Sequence, residues 1–86
     1  MIEISEIEQM LRVAFPDGII EIRDLTGTKD HFEGVIVSSA FAGKTPVNQH
    51  RLVYAALGDA MKARIHAFTF KTYTHDVWAR MRGSST

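Results

Sequence analysis

Two β-rich runs, residues 31–38 and 65–72, are separated by a segment of helical periodicity that opens at Thr45-Pro46. That order constrains the fold more than any other feature of the chain. Strands joined through a helix are expected to lie parallel, with a right-handed crossover, because a tight hairpin joins only antiparallel neighbours. The first run carries Val35-Ile36-Val37, residues suited to a pleated surface. In the second, Ile65, Ala67 and Thr69 should face one side and His66, Phe68 and Phe70 the other. Thr45 is a good helix N-cap, and Pro46 loses no intrahelical bond at the first helical position. The helix is expected to run to about Ala63, with Val47, Tyr54, Leu57 and Met61 as its main apolar stripe and Val53 and Ala60 widening it.

The flanking segments complete the pattern. Ser5-Glu6-Ile7-Glu8 has the form of a capping box, followed at helical spacing by Ile7, Met10, Leu11 and Ala14. Pro16-Asp17-Gly18 ends that helix. Ile20 and Ile22 alternate with Glu21 and Arg23 as in a half-buried strand, and the polar loop 26–30 leads back to His31. These first two strands should pair antiparallel. Thr74 caps a last short helix containing Val77, Trp78 and Met81, and residues 83–86 are expected to fray. The order is therefore α-β-β-α-β-α. It implies an α+β fold, with a three-stranded mixed sheet in one layer and helices in the other. A length of 86 residues suits one domain, 1–86.

Composition removes some chemistry. The chain has no cysteine, hence no thiol nucleophile, disulfide or thiolate zinc site. No apolar run approaches the roughly 20 residues of a membrane span, and Glu3, Glu6 and Glu8 interrupt any secretory pattern. A cytoplasmic protein without a membrane partner is expected. Zero net charge hides an asymmetry, with −5 on residues 1–43 and +5 on residues 44–86. Lys44, Arg51, Lys62, Arg64, Arg80 and Arg82 could meet phosphates or an acidic surface, or could simply be solvated.

Gly43-Lys44-Thr45 has the ending of a nucleotide-binding loop, but the first glycine of that motif would fall at Ser38. A tight turn with a solvated lysine is the better reading. The element order is also that of the K-homology class of nucleic-acid-binding folds, although the Gly-x-x-Gly grip of that class is missing here. Four histidines remain: His31, His50, His66 and His75. Neutral imidazole is a ligand for zinc, copper, iron or nickel, and a chain offering one or two such ligands needs the rest from a partner or water. No assembled nucleophile, base and oxyanion device is visible, so an enzyme is not expected.

Several words occur in order along the chain. His31-Phe32 opens the second strand, a valine-rich run ends in Ser38, and Phe41-Ala42-Gly43-Lys44 precedes the long helix. His50-Arg51-Leu52-Val53-Tyr54 lies within that helix. Ile65-His66-Ala67 starts the third strand, and Thr74 and Trp78 close the series. Together they span residues 31–82 and resemble the BolA family. In this light Gly43-Lys44 is similar to the family's Phe-x-Gly-Lys turn.

The resemblance implies a class II K-homology-like fold and partnership with a monothiol glutaredoxin in iron–sulfur cluster handling. It implies a 2Fe–2S cluster held by the glutaredoxin thiolate and glutathione on one side and by this chain on the other. His66 matches the family's principal cluster ligand, and His31 is the candidate for the second, which the family supplies from the loop between the first two strands. Gln49 stands where many members have Arg. Alone, the protein is expected to be a cluster-free monomer or weak homo-oligomer. The alternative is a regulator binding DNA through the basic C-terminal half.

Overall fold

A computed structural model describes residues 2–27, 31–65 and 67–84. Helix α1 spans Ile4–Ala14, strand β1 Ile19–Asp24 and strand β2 His31–Val37. After a single 3-10 turn, Ser39–Phe41, come helices α2 (Pro46–Leu57) and α3 (Ala60–Ala63), strand β3 (Ala67–Tyr73) and helix α4 (His75–Ser84). The sheet order is β1-β2-β3, antiparallel between the first two and parallel between the last two. The expected mixed three-stranded α+β fold is therefore the observed one.

Alternation along the strands sorts the two faces. Ile20, Phe32, Ile36, Phe68 and Phe70 lie on the face that joins the core with Ile7 and Leu11 of α1 and Val53 and Leu57 of α2. Glu21, Arg23, Thr69 and Lys71 point from the opposite face and are exposed, with an ion pair between the register partners Arg23 and Glu33. Gly34 sits at the centre of the helix-covered face, where a Cβ would come within 2.8 Å of the Phe68 ring and 2.9 Å of Ile22 Cδ1. The missing side chain makes room for Phe68.

Three local expectations need correction. Helix α1 begins two residues earlier than the Ser5 box implies: Glu3 is the N-cap, and its amide donates to Glu6 Oε1 at 3.3 Å. Burial of Ile2 ahead of the helix draws the start toward the core. The long helix is two helices, because Gly58 adopts a positive φ of 54° and closes α2 by donating to the Tyr54 carbonyl at 2.9 Å. Its buried stripe is Val53, Leu57 and Ala60, whereas Val47 and Tyr54 are 60% and 46% exposed. At the C-terminal end, α4 includes Gly83 and Ser84, two of the residues expected to fray.

Candidate functional site

Parallel pairing brings the starts of β2 and β3 to one end of the sheet. His31 is the first residue of β2, exposed, with its carbonyl accepting the Leu25 amide at 2.8 Å. Its register partner is Ala67, the first residue of β3. His66, which precedes Ala67 in sequence, lies outside the described residues. Among the described residues no group of three or more His, Cys, Asp or Glu is arranged to hold a metal ion. Imidazole at His31 is a chemically sound donor to iron, but a chain without thiolates needs other molecules to complete a cluster's coordination.

The other two histidines pack against described neighbours. The His50 ring lies 4.6 Å from that of Phe70, and Tyr54, one helical turn on, meets Phe70 edge-on at 5.4 Å. His75 Nε2 stands 3.3 Å from Asp17 Oδ2 at the start of α4. Asp17, legible in the sequence only as part of a Pro-Asp-Gly stop, is the centre of a polar junction. It accepts the Ser38 hydroxyl and the Ser39 amide, each at 2.9 Å. The Ser39 hydroxyl and amide, then the Ser38 hydroxyl, hold its carboxyl well below the ordinary aspartate range, and His75 adds to the effect. One carboxylate thereby joins the β1 approach, the end of β2 and α4.

The Phe41–Lys44 turn is built rather than loose. Gly43 supplies a φ of 73°, and the Lys44 amide donates to the Phe41 carbonyl at 3.2 Å. The Gln49 side-chain amide then donates to the carbonyls of Phe41 at 3.2 Å and Lys44 at 3.0 Å. Thr45 caps α2 through the Asn48 amide. Gln49, read from the sequence only as a missing arginine, fixes this turn.

The six candidate cations do not form one patch. Lys44 precedes α2, whereas Lys62 and Arg64 follow it, and a 12-residue helix separates its ends by about 18 Å. Arg51 is exposed on α2, and Arg80 and Arg82 are exposed on α4. Arg64 donates to Glu6 at 2.6 Å, which holds the Glu6 carboxyl below its usual range. The Arg82 guanidinium lies 5.8 Å from the centre of the Trp78 ring, which stacks 5.5 Å from Tyr73.

The profile described as BolA-like protein matches residues 9–76. The chain belongs to the BolA-like family. It is 34% identical to the DNA-binding transcriptional regulator BolA of Escherichia coli K12, over 86% of this chain and 77% of that protein. The BolA homologue of Coxiella burnetii superposes with a TM-score of 0.80 at 34% identity, covering 93% of this chain and 100% of that one. A BolA-like protein of Babesia bovis gives a TM-score of 0.84 at 32% identity over 95% of each chain. The BolA-like fold thus covers the sheet, the Phe41–Lys44 turn and both helices that flank it.

Proposed function

We propose that this BolA-like chain is a non-enzymatic adaptor that pairs with a monothiol glutaredoxin and shares a 2Fe–2S cluster with it, in cluster trafficking or iron regulation. The cluster is cargo. His66 serves as the principal ligand on this side and His31 as the second, with the glutaredoxin thiolate and glutathione supplying the remainder. The observation that carries the reading is the register of β2 and β3. His31 is exposed and lies opposite Ala67, the residue that follows His66 in the sequence. Imidazole in place of thiolate on one iron raises the cluster's reduction potential and suits a cluster that is passed on.

The test mixes the purified protein with a monothiol glutaredoxin, iron, sulfide and glutathione. A visible absorption and circular dichroism spectrum distinct from that of the glutaredoxin-only cluster supports the reading. An unchanged glutaredoxin spectrum rejects it.

The Escherichia coli relative's name favours a second reading, DNA binding through Lys44, Arg51, Lys62, Arg64, Arg80 and Arg82. Their spread over both ends of α2 and over α4, and the pairing of Arg64 with Glu6, support only salt-sensitive phosphate contacts. Affinity for several unrelated duplexes across a salt series separates that behaviour from site-specific binding.

A further inference from the structure

The outer face of α2 disagrees with its own sequence pattern. Val47 and Tyr54 have the spacing of a buried stripe, yet they are 60% and 46% exposed. Arg51 lies between them at the i+4 position, exposed, so Val47, Arg51 and Tyr54 form one row along the helix. Lys44 extends that row at its N-terminal end, on a turn whose carbonyls Gln49 holds in place. Neither Lys44 nor Arg51 has an ion-pair partner among the described residues, and α2 contains no acidic residue. Tyr54 is braced by Phe70, on which His50 also packs, and this reduces the entropy it would lose on being covered.

We propose that this row is a docking surface for a protein partner that presents an apolar side chain between acidic ones, such as one face of an acidic amphipathic helix. Charge complementarity selects the acidic rim: two free cations and no carboxylate on the helix. Val47 and Tyr54 select the apolar centre. Tyrosine and arginine, adjacent here in Tyr54 and Arg51, are residue types enriched in interface hot spots. A phosphate backbone gains nothing from Val47 and would be better served by consecutive cations, so the row favours protein over nucleic acid. This surface uses neither His31 nor His66, and it goes beyond the cluster-sharing reading.

The experiment follows amide shifts of the isotopically labelled full chain during titration with three probes at physiological salt. They are a synthetic amphipathic helix with a leucine face flanked by glutamates, the same helix with lysines for the glutamates, and a 20-base-pair duplex. The acidic helix should saturate shifts at Val47, Arg51 and Tyr54, and the basic helix and duplex should not. Val47→Asp and Arg51→Glu, both solvent-facing changes, should each weaken binding more than tenfold with thermal midpoints unchanged. Tyr54→Phe should bind like the wild type, whereas Tyr54→Ala should bind less well. Absence of saturable binding by the acidic helix, shifts elsewhere on the molecule, full affinity in Arg51→Glu, or stronger binding of the duplex on this row would each overturn the proposal.

Discussion

The Thr72 hydroxyl donates to Gln49 Oε1 at 2.6 Å, linking β3 to α2 across the helix–sheet boundary. The same Gln49 amide group donates to the Phe41 and Lys44 carbonyls, so one side chain connects turn, helix and strand. Side-chain networks of this kind are coupled, and each partly buried bond contributes on the order of 1 kcal/mol. Gln49→Ala should therefore lower stability by roughly 1–2 kcal/mol. In a double-mutant cycle by urea unfolding, Gln49→Ala and Thr72→Val should be less than additive. Strict additivity would show that the bond contributes nothing in solution.

Gly34 is the second constraint on the sheet. A side chain there would press on Phe68 and Ile22, both on the helix-covered face. Gly34→Val should destabilise by about 1–3 kcal/mol, the usual cost of overpacking a close-packed site. Gly34→Val combined with Phe68→Leu should recover part of that loss in chemical denaturation. A stable Gly34→Val single variant would mean that the Phe68 ring does not occupy this space.

Asp17 predicts an acid-dependent stability. Its folded-state pKa lies below the ordinary value of about 3.9, so its contribution is complete above that value. As pH falls below about 4, protonation in the unfolded state comes first and the contribution is progressively lost. Asp17→Asn removes this titration and should flatten the fall in stability below that pH. Unfolding midpoints measured from pH 5 downward check it. Parallel curves for the wild type and Asp17→Asn would contradict the Ser38–Ser39 junction.

Strand pairing was legible in the sequence because alternation and connection type act locally: Ile20 and Ile22 mark β1, and a helical insert fixes β2 and β3 as parallel. The break at Gly58 was not, since Leu57, Ala60 and Met61 keep helical spacing through it and a glycine alone is tolerated inside a helix. Periodicity also could not choose between Val53 and Tyr54, neighbours that both fit an apolar stripe. Packing of α1 against α2 buries the first, and an exposed position is left to the second. Asp17, Ser38 and His75 meet only because the sheet and α4 converge, across 21 and 58 positions of sequence. No short motif records such a junction. The Phe41–Lys44 turn was legible as a word, but its anchor at Gln49 was not.

The four histidines should separate by role. Under the proposed cluster-sharing role, His66→Ala should abolish the mixed cluster spectrum formed with a monothiol glutaredoxin. His31→Ala should shift that spectrum and shorten the cluster's lifetime, because a second donor from β2 would be replaced by water or a thiol. His50 contacts Phe70, and His75 contacts Asp17. His50→Ala and His75→Ala should therefore change thermal stability while leaving the spectrum intact once the proteins are folded. Measuring absorption spectra, decay of the cluster under a chelator and thermal midpoints for all four variants separates ligation from packing. Equal loss of the spectrum in His50→Ala or His75→Ala, with folding retained, would place the cluster away from the β2–β3 end and remove His31 and His66 from the ligand set.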